Sequence, residues 1–477
     1  MTDIFYERLS FLDSTYLAME DRNAHFHVAG VMIFEGGSLV DGKSVNVGLI
    51  RDFIDSKLHL IPRYREVIMT VPFDGHPVWV DDEHFDINYH VRHTSLPHPG
   101  THEQLQEVAA RIFSQKLDRF RPLWEVWVVE GLEDDKFAII AKVHHCMIDG
   151  MAGVDLLKVL LNFWPSTDIE DPPPFEPRPA PTKAALLSDE VSRRVRQPMD
   201  LVKGAAGFLR GGDAGEALSH RARAMSKALG SGWLQNADET PINPHIGPNR
   251  RFHWTTTPLE DVKDVKNRLG GTVNDVILAT VAGAVRTFLQ QRGTETDDLE
   301  FRIMAPVSVR SEDDTSMTGN NVAMWLLDLP IDVEKPVDRF KAVGERTAEL
   351  KDTDQALGAS LLVQAGSWTP TTILSLAARL AATNIRPFNM TVTNVPGPQI
   401  PIYMLDAKLE VHYPMVPLWS THGLGVALFS YEGQLAWGIV SDADSVPDAP
   451  DFVAAIESSF KKLHTAAKRR KKKVLAS

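Results

Sequence analysis

Residues Phe137-Ala138-Ile139-Ile140-Ala141-Lys142-Val143-His144-His145-Cys146-Met147-Ile148-Asp149-Gly150 decide how this chain is read. The first seven make an apolar run suited to a strand, and they deliver the backbone directly to two adjacent histidines. Just upstream, Leu123 to Glu130 sets Trp124, Val126 and Val128 against Glu125, Trp127 and Val129, a second strand with bulky residues on both faces. The turn Gly131-Leu132-Glu133-Asp134-Asp135 joins the two, which predicts a hairpin. Downstream, Val154 to Phe163 has the apolar spacing of a helix. The local plan is therefore strand, polar loop, helix.

Working outward, Val28 to Glu35 reads as a buried strand closed by Gly36-Gly37, and Val47 to Leu58 as a helix. Between Pro165 and Pro181 the composition turns proline-rich and acidic, with Pro172, Pro173, Pro174, Pro177 and Pro179, as an extended linker would be. Lys183 to Leu229 is compatible with helix, apart from Gly211-Gly212, and a second proline cluster follows at Pro241, Pro244 and Pro248. The second half restarts with a strand at Arg251 to Thr256 and helices at Leu259 to Leu269 and Val273 to Arg292. Strands are expected at Phe301 to Val309, Val322 to Leu329, Phe388 to Asn394, Leu424 to Tyr431 and Gln434 to Ser441. Both halves are thus α/β. The predicted partition is 1–182, a helical connector at 183–248, a second unit at 249–460 and a basic tail at 461–477. A chain of 477 residues exceeds one ordinary core, so two domains with a cleft between them are expected.

A hydrophobic fraction of 43% and a charged fraction of 24% exclude wholesale disorder. No apolar run approaches a membrane-spanning length, and Asp3 and Glu7 spoil any signal-peptide pattern, so a cytoplasmic address is expected. The single cysteine, Cys146, excludes an internal disulfide framework and any multi-cysteine metal site. Net charge is −13, although Lys461, Lys462 and the run Lys468-Arg469-Arg470-Lys471-Lys472-Lys473 are basic. An acidic body with a basic end argues against nucleic acid as a partner. The tail reads either as an attachment to anionic lipid, membrane or droplet, or as a solvated extension.

Adjacent side chains on an extended segment point to opposite sides, so His144 and His145 divide their work: one acts and one supports. An imidazole near its ordinary pKa of about 6.5 can take a proton from an alcohol, which supports acyl transfer to a hydroxyl. Asp149, followed by Gly150, fits a tight turn whose carboxylate organises the loop. A metal site is disfavoured by the opposed histidines and by the absence of a histidine pair four apart. A Cys146–histidine dyad and plain core histidines stay open on these residues alone.

The run His144-His145-x-x-x-Asp149-Gly150 resembles the HHxxxDG signature of CoA-dependent acyltransferases. The whole chain is similar to the bacterial bifunctional wax ester synthase/diacylglycerol acyltransferase family. That likeness is carried by Leu9-Ser10-x-x-Asp13, Pro122-Leu123-Trp124, Thr272-Val273-Asn274-Asp275-Val276, Arg310 to Asn320, Thr393-Asn394-Val395-Pro396-Gly397-Pro398 and Ser430-Tyr431-x-Gly433 before Asp442.

The resemblance implies two chloramphenicol-acetyltransferase-like domains, each a mixed sheet flanked by helices, with a tunnel between them. It implies acyl-CoA as co-substrate, no separate cofactor and no metal, and diacylglycerol or a long-chain alcohol as acceptor. His145 would be the general base, supported by His144, Asp149 (through an ion pair with an arginine) and Gly150. Asn274 and Asp275 would shape the site, with helix capping as the plain alternative for Asn274. Asn394, Pro396 and Gly397 form a rigid turn after a strand, a position that lines ligands. Phe388, Met390, Met404, Met415 and Trp419 are candidates for the tunnel or for ordinary core. A relative acting on a non-lipid alcohol or amine, or an inactive lipid-surface protein, are the competing functions.

Overall fold

The structure, a computed structural model, describes residues 5–42, 44–147, 157, 160–195, 235–308, 322–352 and 386–470. The first half runs α1 (Phe11–Met19), β1 (His27–Glu35), α2 (Val47–Lys57), a hairpin of β2 (Glu66–Thr70) and β3 (Pro77–Asp81), β4 (Val91–Ser95), α3 (His102–Ser114), β5 (Trp124–Glu130) and β6 (Lys136–His144). The second half runs β7 (Arg250–Pro258), α4 (Leu259–Leu269), α5 (Val273–Gln291), β8 (Phe301–Ser308), β9 (Val322–Leu329), α6 (Pro336–Asp352), β10 (Met390–Pro396), β11 (Tyr403–Met404), β12 (Ala407–Met415), β13 (Leu424–Tyr431), β14 (Gln434–Asp442) and α7 (Ala449–Lys468).

The predicted hairpin is present, with Trp124 opposite Val143 and Val129 opposite Ala138. Its turn needs left-handed backbone at Gly131, Asp134 and Asp135, which glycine and aspartate tolerate better than bulky residues do. Each half carries a mixed six-stranded sheet, in the orders β11-β12-β1-β6-β5-β4 and β7-β14-β13-β10-β8-β9. In the first, β4 is parallel to β5 and the other pairs are antiparallel. In the second, β10 lies parallel between β8 and β13. Helices α5 and α7 bury one face against the second sheet, where Val281, Val285, Phe452 and Leu463 pack on Val426, Leu428 and Ile439.

The sheets do not divide where the sequence halves do. Residues 407–415, inside the span expected for the second unit, hydrogen-bond into the first sheet as β12, with Pro414 opposite Gly30 and Met415 opposite Ala29. Where this strand crosses β14, a Cβ on Gly438 would overlap the Pro414 carbonyl, so only glycine permits the close approach. Helix α3 adds a second tie. Its Ser114 hydroxyl accepts from the Arg250 backbone at 2.9 Å, and Gln106 meets His253 at 3.2 Å. The Arg250 guanidinium donates to Gly247 O at 2.7 Å and to Asn23 O in the first half, and lies 3.4 Å from the buried Asp442 carboxylate.

The proline-rich stretch lies against the β2–β3 hairpin, where Arg178 pairs with Asp81 at 2.6 Å and Phe175 packs on Arg65. Residues 183–195 are helical, as expected for the connector's start, and the rest of that helix-compatible stretch lies outside the described residues. The basic segment expected from 461 begins inside α7, because Leu463 and Ala467 are buried and hold those turns to the core. Lys471 to Ser477 lie outside the described residues. Among the described residues no single helix is long and apolar enough to cross a membrane.

One charge fastens α3 to the sheet beneath the histidines. Lys142 has a fully buried side chain whose ammonium donates to the carbonyls of Ile112 and Gln115, both at 3.0 Å, and lies 3.3 Å from Glu125. These carbonyls sit at the end of α3, where helices leave acceptors unpaired and favour positive charge. Lys142→Met would remove both ammonium bonds at the end of α3, leaving Ile112 O only the Gln115 N–H, and leave the buried Glu125 with Arg92 and Trp127. The expected loss is about 3 kcal/mol in urea unfolding; a change under about 1 kcal/mol contradicts this account.

Candidate active site

Strand β6 ends at His144, and the backbone then tightens into a short turn over His145–Met147. The two imidazoles part company there, as the alternation of an extended chain requires. His144 is buried on the face of Lys142 and Ala138, with its ring edge-on to His27 at 5.7 Å. Its Nδ1 accepts the backbone N–H of Cys146 at 3.2 Å, so in the neutral ring the proton sits on Nε2. Burial holds His144 well below the ordinary histidine range, with Arg119 and His145 adding to the depression. His27 is likewise held well below it, first by burial and then by His144.

His145 is half-buried. Its backbone N–H donates to Phe26 O at 2.9 Å, and its ring lies against Tyr16 with centroids 4.2 Å apart. Tyr16 belongs to α1, which starts with Ser10 as N-cap and with Asp13 in its first turn. The Leu9-Ser10-x-x-Asp13 motif therefore builds the helix on which the histidine rests. His145 Nδ1 is buried and has no hydrogen-bond partner among the described residues. Desolvation lowers this imidazole to about 4, so it is neutral at pH 7. Cys146 is buried beside it with its thiol raised well above the usual range by burial, the reverse of an activated nucleophile.

The other expected residues fall into three groups. Asp149 and Gly150 lie outside the described residues, as do Val154 and Arg310 to Asn320. Asn274 and Asp275 belong to the start of α5, but Thr272 is the N-cap there, so the capping alternative does not fall to Asn274. Asp275 completes the capping box through the Thr272 backbone at 2.8 Å and accepts from Thr347 of α6 at 2.9 Å. Neither residue is hydrogen-bonded to the histidine pair among the described residues. Asn394 is half-buried near the end of β10, Pro396 is exposed, and Gly397 donates its N–H to Ser430 O at 2.9 Å. A Cβ on Gly397 would overlap the Phe429 ring, which explains glycine at that position.

Of the apolar candidates, Phe388, Met390, Met404 and Met415 are core, whereas Trp419 is half-buried and meets Phe26 edge-on at 5.1 Å. Trp124 is structural: it stacks on His90 at 4.4 Å and donates to Tyr64 O at 2.8 Å. Tyr16, Phe26, His27 and His412 were not singled out by motif. The alternating His25 and His27 leading into β1, and an aromatic three residues beyond Asp13, are the local signals for the first three. Among the described residues no three histidine, cysteine or acidic side chains gather as a metal site would.

Two mixed sheets joined by an exchanged strand, with a tandem histidine turn at the end of β6, define an acyltransferase of the chloramphenicol-acetyltransferase-like fold. Comparisons narrow this. The wax ester synthase/diacylglycerol acyltransferase catalytic domain matches residues 9–277, and that family's C-terminal domain matches residues 318–464. A protein described as a probable diacylglycerol O-acyltransferase of Mycobacterium tuberculosis (strain ATCC 25618 / H37Rv) is 32% identical, with 97% of each chain covered. The solved wax ester synthase/diacylglycerol acyltransferase of Marinobacter aquaeolei VT8 superposes with a TM-score of 0.68 at 26% identity, covering 97% of this chain and 100% of that one. The first condensation domain of the calcium-dependent antibiotic synthetase shares the fold at 15% identity, with a TM-score of 0.59 and coverage of 97% and 96%. The chain belongs to the wax ester synthase/diacylglycerol acyltransferase family, and it is an O-acyltransferase.

The histidine cluster has a consequence for acid stability. Folded His27 stays neutral where the unfolded chain's imidazole, near 6.5, takes up a proton; stability is therefore lost as pH falls below about 6.5. His27→Leu removes that penalty. Its stability relative to wild type should rise by up to about 1.4 kcal/mol per pH unit between pH 6 and 5 in chemical unfolding. A difference independent of pH would show that His27 is not held neutral.

Proposed function

We propose that this enzyme transfers a long-chain acyl group from acyl-CoA to the hydroxyl of diacylglycerol, of a long-chain alcohol, or of both, with His145 as general base. The observation that carries the reading is the contrast within the pair: both are neutral, but His144 is shut in and backbone-bonded, whereas His145 is only half-buried and is braced by Tyr16. With Nδ1 buried, Nε2 is the nitrogen that meets the acceptor.

The chemistry then needs no covalent enzyme intermediate. Nε2 takes the hydroxyl proton as the acceptor oxygen attacks the thioester carbonyl, and a tetrahedral oxyanion forms. Its collapse breaks the carbon–sulfur bond, and the imidazolium returns the proton to the departing thiolate, giving an ester and free CoA. A depressed pKa keeps the base in its working form at neutral pH while making the imidazolium a ready donor to sulfur. Tyr16 and the Phe26 carbonyl fix the ring's position. Asp149 and Gly150 would shape the loop that follows, and Asn394 with the Pro396-Gly397 turn would line the approach between the sheets. The names of the relatives and the family support both acceptor classes. Arg469, Arg470 and the lysines beyond α7 would add attraction to an anionic lipid surface of about 1 kcal/mol per charge.

Radiolabelled palmitoyl-CoA offered with diacylglycerol or hexadecanol tests the assignment. His145→Ala should lower turnover by roughly a hundredfold to ten-thousandfold, while Cys146→Ala keeps activity near wild type. The opposite pattern would falsify the general-base role. The pH dependence of kcat/KM gives an independent readout: because the imidazole must be neutral, the profile should stay level from pH 8 to about 5 and fall only as pH nears 4. A fall centred near 6.5 contradicts a desolvated base.

A further inference from the structure

A second imidazole stands along the sheet from His145. Alternation along β6 places Phe137, Ile139, Ala141 and Val143 on one face, and the chain turns out of the strand at His145, just beyond Val143. Direct partners across β1 put Val28, Gly30 and Met32 on that face too. The exchanged strand β12 then adds His412, the partner of Met32. Val28, Ala141, His145 and His412 are each half-buried, between the buried Gly30 and Val143, whereas Val31, Ile33, Ala138 and Ile140 on the reverse face are fully buried.

His412 does not stand over its own strand partner. Its ring leans along β1 until Nε2 lies on the bare backbone of Gly30, where any Cβ would overlap it. The opposite side of the ring is covered by Phe429 of β13, 4.6 Å away, which in turn presses on Gly397. Two glycines thus make room for one histidine–phenylalanine pair between the sheets. His412 Nδ1 is buried with no partner among the described residues, leaving Nε2 to meet a ligand. Burial lowers this imidazole to about 4, so it offers a neutral hydrogen bond and no charge.

We propose that His412 recognises the acyl acceptor by hydrogen-bonding an ester oxygen, which makes a diacylglycerol, rather than a bare long-chain alcohol, the acceptor this wall is built for. The inference rests on His145 as the base that holds the reacting hydroxyl. A hydrocarbon chain passing His412 would leave its nitrogen unpaired, whereas an ester oxygen would accept its N–H. Spacing agrees. Gly30 is level with Ala141, three strand steps before His144 and one turn step more from His145, or roughly 12 Å. A hydrogen bond of about 3 Å at each end leaves about 6 Å, the scale of a glycerol backbone between its free hydroxyl and a primary ester carbonyl.

The test compares kcat/KM for dipalmitoylglycerol and for hexadecanol, with palmitoyl-CoA as donor and the full-length chain as enzyme. His412→Leu should lower the diacylglycerol-to-hexadecanol ratio about tenfold, the equivalent of one net hydrogen bond, and His412→Gln should recover most of it. In a second measurement, propanediol dipalmitate, which has both esters but no hydroxyl, should compete with diacylglycerol about tenfold less well against His412→Leu than against wild type. An unchanged ratio, or equal loss with both acceptors, overturns the proposal, because packing alone would affect them alike. A wild type that uses hexadecanol but not diacylglycerol overturns it while leaving His145 as base. A wild type that uses neither overturns both readings.

Discussion

The pairing of β12 with β1 is the constraint on which the remaining architecture depends. From Leu409 to Met415, second-half chain completes the hydrogen bonding of the strand that also pairs with the histidine-bearing β6. Backbone hydrogen bonds of this kind admit only one register, since a shift of one residue would turn every side chain to the wrong face. The pairing therefore sets the relative placement of the two sheets. Gly438 lets β14 cross β12 at backbone distance, and α3, fastened by Lys142, fills the remaining angle.

Seen from that constraint, the site is a product of opposed demands on neighbouring residues. One face of β6 is closed by Lys142, His144 and His27, all held against polar backbone or against each other. The other is left with small residues, Ala141 and Gly30, beneath the second sheet's Phe429 and the end of β10. Neutral imidazoles suit such a place, since a charged group would need a counter-ion that apolar surroundings do not provide. The Arg250–Asp442 pair supplies order at a distance: it reaches Asn23, three residues before the Phe26 carbonyl that holds the His145 backbone.

Much of this was legible in the chain because it is encoded locally. Leu259–Leu269, Val322–Leu329 and Leu424–Tyr431 coincide with their expected spans, each a clean apolar pattern ended by glycine, proline or charge. The opposed directions of His144 and His145 follow from alternation alone. Strand β12 was not legible: Ala407 to Met415 mixes Lys408, Glu410 and Pro414 into its pattern, and it gains strand character from β1, hundreds of residues away. His412 was hidden for the same reason, as an isolated histidine whose neighbours Gly30 and Phe429 meet it only in the fold. Thr272 outranked Asn274 as a cap because the reciprocal bond from Asp275 stabilises that register.

The exchanged strand also orders events during synthesis. Until residue 415 has left the ribosome, β1 presents an unpaired edge, a long apolar strand of the type that recruits other chains. The first sheet thus cannot mature as an independent unit ahead of the second, unlike ordinary tandem domains that fold one after the other. Expressed apart, the two halves would each carry a defect: an open edge on one and an orphaned strand on the other. The chain is two domains by shape and one by assembly.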